Sequence, residues 1–217
     1  MTDIEKYKGK GLSGMANLGN TCFINSCMQV LSHTHKLNEL LDDSNLSNKI
    51  NKVVDSLILM EWNNLRKMLW ENNCVISPAK WINTIHKVAK SKGALLFTEY
   101  SQNDSHEFLL FILDCFHNSL KREVEMNIKG SVECEQDKLA ISCYKMIKKI
   151  YENEYSEIVN MFFGIHVSQI SDVDNNVLSF NPEPFLNIDI PIPDKKNVDI
   201  FDCLNEYVNY DLLFGEN

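Results

Sequence analysis

Gly11-Leu-Ser-Gly-Met-Ala-Asn17-Leu-Gly-Asn20-Thr-Cys22-Phe-Ile-Asn25-Ser-Cys-Met-Gln29-Val-Leu31 is the stretch on which the reading of this chain turns. Ile24, Cys27, Met28 and Leu31 recur at helical spacing, and Thr21 is placed to cap the first turn, so Cys22 stands at or beside a helix N-terminus. A cysteine attacks only as thiolate, and the unpaired N–H groups and dipole of a helix start favour that anion. Upstream, Gly19, Asn20 and Thr21 form a turn that lets backbone N–H groups approach a carbonyl, and Asn17 is near enough to aim a carboxamide N–H at the same point. Together they have the composition of an oxyanion hole beside a nucleophile. The plainer reading of Cys22 is a small buried apolar residue, since free cysteines are among the most buried types.

Outward from this segment the helical period persists. Ile50, Val53, Val54, Leu57, Ile58, Leu65 and Leu69 give an amphipathic helix between Ile50 and Glu71, and Ser77-Pro78 opens a shorter one carrying Trp81, Ile82 and Ile85. Ser101-x-x-Asp104 has the form of a capping box ahead of Phe108, Phe111, Ile112, Cys115 and Phe116, which predicts a helix from Gln102 to Arg122. Another runs from Lys138 to Tyr151. Beyond it the period changes to two. Met161, Phe163, Ile165 and Val167 alternate with other residues, Asp174-Asn175-Asn176 offers a turn, and Leu186, Ile188, Ile190 and Ile192 alternate again. A last short helix is expected over Ile200 to Val208. Helices first and strands second is the signature of an α+β chain.

The 217 residues suffice for one substantial core or two small ones, and 44% hydrophobic content is that of an ordinary globular protein. A net charge of −9 opposes nucleic-acid binding, which calls for a clustered basic surface. No run reaches the roughly 18 apolar residues of a membrane span, and the N-terminus lacks the apolar stretch of a secretory signal, so neither a membrane nor secretion is expected. Seven cysteines, odd in number and with no C-x-x-C pair, indicate reduced thiols in a cytoplasmic or nuclear setting.

Residues 11–31 closely resemble the cysteine motif of the ubiquitin-specific proteases, usually written G-L-x-N-L-G-N-T-C-[FY]-x-N-S-x-L-Q-x-L, with a small loop difference between Leu12 and Ala16. Phe97-Thr-Glu-Tyr100-Ser-Gln102-Asn-Asp104-Ser-His106-Glu107-Phe108-Leu109 is similar to that family's second signature, Q-Q-D-A-x-E-F-L, with Asn103 and Ser105 in place of its Gln and Ala. Phe162-Phe163-Gly164, the string Glu183 to Pro193 and Asp202-Cys-Leu resemble its fingers region. The resemblance implies a papain-like cysteine protease fold of the ubiquitin-specific type, with a helical thumb lobe over residues 11–158 and the start of the fingers over 159–217, after a loose lead-in of residues 1–10. Most of the palm sheet is then absent. By the same resemblance Cys22 is the nucleophile, Asn17 the oxyanion-hole side chain, and Gln102 and Asp104 line the channel for the C-terminal tail of ubiquitin. Ubiquitin or ubiquitinated proteins are the implied partners.

Two family features have no counterpart in residues 1–217. Where the first C-x-x-C of the family's zinc ribbon belongs stands Ser171-Asp-Val-Asp174, so no zinc and no other cofactor is expected, and Asp174-Asn175-Asn176 is left to organise the hairpin. The G-H-Y-x-x-Y histidine motif and its Asp or Asn are also missing. His106 aligns with a position of no catalytic role, His33 and His35 are expected to face solvent, and His86, His117 and His166 have packing or surface roles. The chain alone is therefore expected to be inactive or weak, unless a second chain or further sequence supplies the base; a non-catalytic ubiquitin-binding or scaffold protein is the alternative.

Overall fold

Apolar residues at helical spacing collect into a core supplied chiefly by four helices, with additions from the shorter ones. In the computed structural model, which describes residues 7–211, the chain runs β1 (Gly14–Met15), α1 (Cys22–Ser32), α2 (His35–Leu41), α3 (Leu46–Lys49), α4 (Ser56–Glu71), β2 (Val75–Ile76), α5 (Ala79–Lys92), a 3₁₀ turn (Leu95–Phe97), α6 (Ser105–Leu120), α7 (Glu135–Tyr151), α8 (Glu157–Phe162), β3 (Gly164–Ser171), β4 (Val177–Phe185) and α9 (Ile200–Tyr207). The chain divides into two compact units between Phe163 and Gly164. The α+β composition expected from the sequence is present.

The first unit buries Met28 and Leu31 of α1, Ile58, Trp62 and Leu69 of α4, Trp81, Ile82 and Ile85 of α5, and Phe108, Ile112 and Phe116 of α6. Each side chain of this kind contributes about 1.5–3 kcal/mol when taken fully out of water. Trp62 and Trp81 meet with ring centroids 5.8 Å apart. A parallel pair that no periodicity announces, Gly14 against Val75 and Met15 against Ile76, ties the segment before α1 to the segment before α5. Residues 7–10 of the expected lead-in are held against this unit, for Tyr7 stacks on His35 at 4.0 Å and Gly9 O accepts from Asn73 Nδ2 at 3.0 Å.

The helix expected from Ile50 to Glu71 starts only at Ser56. Asn51 takes the chain out of helical geometry. Its N–H donates to Ser119 O at 2.8 Å, and its Nδ2 to Asn118 O at 3.1 Å and Lys121 O at 2.8 Å. These are carbonyls at the end of α6, which lack helical partners of their own. Ser56 Oγ then donates to Asn51 O at 2.6 Å and starts the new helix. The helix expected from Lys138 starts earlier, at Glu135, where Cys134 and Asp137 form a reciprocal cap.

Met161, expected in a strand, lies in the last turn of a helix instead, and Ser156 Oγ caps the start of that helix, α8, by accepting from Val159 N. In the second unit β3 and β4 form an antiparallel hairpin in which Gly164 pairs with Phe185 and Val167 with Pro182. A Cβ at Gly164 would meet the Phe185 ring, so in this register glycine leaves room for that ring where it now lies. The turn falls where Asp174-Asn175-Asn176 predicts it. Asp172 organises it, accepting from Asp174 N at 2.9 Å and Asn176 N at 2.8 Å, with Asn175 at φ 63°. The strand expected over Leu186 to Ile192 is absent: the segment is irregular, no described strand lies beside it, and Pro191 and Pro193 have no N–H for a ladder.

Candidate active site

The loop between β1 and α1 folds around one carboxamide. Asn17 Oδ1 accepts from Gly19 N at 3.0 Å, Thr21 N at 3.2 Å and Thr21 Oγ1 at 3.1 Å. Two of these donors are backbone N–H groups, which only donate, so the atom facing them is oxygen and the amide nitrogen is turned away from the loop. Asn17 is exposed, and its Nδ2 donates to no described residue. The turn depends on consecutive positive φ angles, 108° at Gly19 and 52° at Asn20, a region that glycine enters freely and asparagine tolerates.

Thr21 does not cap α1 through its side chain, contrary to the sequence expectation. Its hydroxyl is committed to Asn17 and also accepts from Leu18 N at 3.1 Å. The N–H groups of Cys22, Phe23 and Ile24 consequently donate to no described residue, leaving the positive end of an 11-residue helix beside the Cys22 side chain. Cys22 carries a free thiol and is exposed, which rules out the plainer reading of a buried apolar residue.

One flank of α1 is apolar and packs inward through Phe23, Ile24, Met28 and Leu31. The adjoining polar flank holds the segment that leads to Asn17. Asn25 Nδ2 donates to Met15 O at 3.2 Å and Ala16 O at 3.3 Å, and Gln29 Nε2 donates to Ser13 O at 2.9 Å. Asn25 and Gln29 are i, i+4 neighbours, a spacing that could have singled them out in the sequence as a polar stripe on a largely apolar helix.

The second motif lies against the first. Asp104, not Ser101, is the N-cap of α6, and its Oδ1 accepts from His106 N at 2.7 Å and Glu107 N at 3.1 Å. Gln102 is exposed in the irregular segment ahead of the cap and makes no hydrogen bond to a described residue. Asn20 Nδ2 donates to Tyr100 O at 3.0 Å, and Cys27 Sγ donates to Ser105 O at 3.2 Å. Below them the Phe23 ring meets the edge of Phe108 at 5.3 Å. Burial, and after it the Asp104 carboxylate, pushes the Cys27 thiol above its ordinary range. Asn17, Cys22, Gln102 and Asp104 are thus all exposed residues of two loops that touch.

None of the six histidines hydrogen-bonds Cys22 among the described residues. His35, expected to face solvent, is half-buried between Tyr7 and Trp70, whereas His33 is exposed and pairs with Gln29 O at 3.0 Å. His86 sets its ring against Tyr100 at 5.0 Å, His117 pairs with Ser156 Oγ at 2.8 Å, and His166 faces Glu183 at 3.1 Å in the hairpin. His106 is exposed on the first turn of α6. No group of three or more His, Cys, Asp or Glu among the described residues is placed to hold a metal, and no described helix is long and apolar enough to cross a membrane.

Residues 13–176 match the family model described as ubiquitin carboxyl-terminal hydrolase. The chain is 30% identical over 220 residues to ubiquitin carboxyl-terminal hydrolase 2 of Bos taurus, covering 95% of this chain and 34% of that protein. The Homo sapiens counterpart is 31% identical over 220 residues with the same coverage, and Usp2 of Drosophila melanogaster is 29% identical over 213 residues, covering 96% of this chain and 22% of that one. The chain spans at most about a third of the length of these curated relatives. Among solved structures, the SAGA Ubp8/Sgf11/Sus1/Sgf73 DUB module bound to ubiquitin aldehyde superposes with a TM-score of 0.63 at 23% identity, covering 96% of this chain and 41% of the other. That likeness is one of fold. With the family match extending over most of its length, the chain belongs to the ubiquitin carboxyl-terminal hydrolase family.

Proposed function

We propose that this chain carries the nucleophile and tail-binding side of a cysteine deubiquitinase site, acting on the bond that follows the C-terminal glycine of ubiquitin. The observation that supports this best is the saturation of Asn17 Oδ1 by three donors beside an exposed Cys22 at the uncapped start of α1. In this reading the Cys22 thiolate attacks the glycine carbonyl carbon, and Asn17 Nδ2 with the N–H groups of the first helical turn steadies the oxyanion. The carbon–nitrogen bond then breaks, the amine leaves with a proton, and water hydrolyses the thioester to free the thiol and a carboxylate. Gln102 and Asp104 line the path of the ubiquitin tail. The setting is cytoplasmic or nuclear, in keeping with seven free cysteines.

The proton from Cys22 needs a base, and none of the six histidines pairs with that thiol. The base is supplied from outside the described residues, by further sequence or by a second chain. Without it turnover falls by orders of magnitude, and binding together with the oxyanion donors is what remains. The same observation favours a second reading, a ubiquitin-binding protein without turnover. Incubation with a ubiquitin probe bearing a C-terminal electrophile separates the two. An adduct lost in Cys22→Ala supports the enzyme; tight ubiquitin binding with no adduct supports the binding protein; an adduct retained in Cys22→Ala removes Cys22 from the site.

A further inference from the structure

The turn that carries Asn17 and Cys22 is closed on itself, and one side chain leaves it. Asn17 and Thr21 satisfy each other and the neighbouring N–H groups of Leu18 and Gly19, whereas Asn20 sends its carboxamide across to Tyr100 O at 3.0 Å, a partner 80 positions away. Asn20 does so from a positive φ of 52°, a conformation that L residues rarely adopt. The segment it reaches has few other anchors. Thr98 bonds back to Leu95, Asn103 bonds to Ser101 two residues earlier, and the Tyr100 ring rests edge-on against His86 at 5.0 Å. The next fixed points are Asp104, held by its cap bonds to α6, and Ser105, whose carbonyl accepts from Cys27 Sγ. Gln102 and Asp104 lie between the ties at Tyr100 and Ser105.

We propose that Asn20 is the positioning residue that sets the segment bearing Gln102 and Asp104 in register with Cys22. The inference rests on the deubiquitinase reading above and deepens it. Asn20 touches no reacting atom. Its bond to Tyr100 O fixes one end of the stretch that would hold the ubiquitin tail, while the Cys27 bond to Ser105 O fixes the other, so the tail is offered to the thiol in one alignment. Removing the carboxamide frees the near end. The loss falls on ubiquitin recognition and leaves the intrinsic reactivity of the thiol alone, because the Asn17 network does not pass through the Asn20 side chain.

Two variants isolate the carboxamide. Asn20→Gly keeps the positive φ and deletes the donor, and Asn20→Asp keeps size and turn tolerance but sets a carboxylate against a carbonyl oxygen. In the full chain, the second-order rate of adduct formation with the ubiquitin electrophile is expected to fall about 3- to 10-fold in each, the equivalent of one hydrogen bond. Alkylation of Cys22 by iodoacetamide is expected to stay within about twofold of the parent, which a general loss of the turn would not allow. Hydrogen exchange of the 99–104 amides is expected to quicken while that of α1 is unchanged. Unchanged exchange over 99–104 overturns the proposal, whether or not the parent forms an adduct. A parental adduct rate in both variants overturns it as well. A parent that forms no adduct, with faster exchange in the variants, keeps the positioning role and removes the catalytic reading.

Discussion

Cys27 Sγ lies 3.2 Å from the carbonyl oxygen of Ser105 and donates to it, so this thiol of α1 is already in use. Cys22, five residues earlier on the same helix, has no such partner and is exposed. The two thiols therefore differ in availability. Burial and the Asp104 carboxylate push Cys27 up, and burial pushes Cys115 up much further, so less of either is thiolate near neutral pH. Time-resolved alkylation read by mass spectrometry is expected to modify the exposed Cys22, Cys74 and Cys134 ahead of Cys27, with Cys115 last. Modification of Cys27 at the rate of Cys22 would contradict this geometry.

Asn17 organises its turn and is proposed to donate to the oxyanion, and one substitution separates the two. Asn17→Asp keeps an oxygen for Gly19 N, Thr21 N and Thr21 Oγ1 but has no N–H to offer an oxyanion. Its melting temperature is expected to stay close to the parent's, with reaction at the ubiquitin electrophile slowed about 10²–10³-fold. Asn17→Ala loses both, and its melting temperature falls too. An Asp variant that reacts at the parental rate removes Asn17 from the oxyanion hole.

Asp104 caps α6, and the same carboxylate is proposed to line the path of the ubiquitin tail. Loss of both cap bonds in Asp104→Ala is expected to cost about 1 kcal/mol, a fall of roughly 2–4 °C in melting temperature for a chain of this size. Asp104→Asn retains the cap acceptor without the charge. It is expected to melt with the parent while binding ubiquitin more weakly. Equal ubiquitin binding by parent and Asn variant would leave Asp104 a cap alone.

His117 couples α6 to the start of α8 through Ser156 Oγ, and folding lowers its affinity for protons from the ordinary value of 6.5. Burial is the chief cause, the Lys121 ammonium adds to it, and the carboxylates of Glu154 and Asp114 oppose it. His86 is lowered too, by burial. The unfolded chain therefore binds these protons first, so the stability is complete above 6.5 and is lost as pH falls from there through the lower folded values. The urea midpoint is expected to be lower at about pH 5.5 than at about pH 7.5, and His117→Gln to reduce that difference. An undiminished difference in His117→Gln would show that this pair does not carry it.

Much of this chain is legible without coordinates. The apolar spacing of Ile24, Met28 and Leu31, or of Phe108, Ile112 and Phe116, encodes a helix and its buried face within a few residues, because side chains one turn apart point the same way. The hairpin turn at Asp172 to Asn176 is equally local, since a short carboxylate bonds its own backbone two and four residues on.

Helix starts were less legible. Thr21 and Ser101 both had the composition of caps, and neither caps its helix: Thr21 is drawn to Asn17, and Asp104 outcompetes Ser101 three residues later. The break before α4 and the irregular path of Leu186 to Ile192 depend on what stands alongside, the C-terminal carbonyls of α6 in one case and the lack of a described partner strand in the other.

By itself the sequence determined the family and the helical identity of the core, and singled out Cys22 as the candidate nucleophile, since periodicity and motif are properties of neighbours along the chain. Tertiary structure alone decided that Asn17 turns its amide nitrogen outward and that the two motifs meet at Asn20 with Tyr100 and Cys27 with Ser105. Those bonds join residues 80 and 78 positions apart, and no local pattern specifies them. They form because packing Phe23 against Phe108 brings the ends of α1 and α6 within hydrogen-bonding reach.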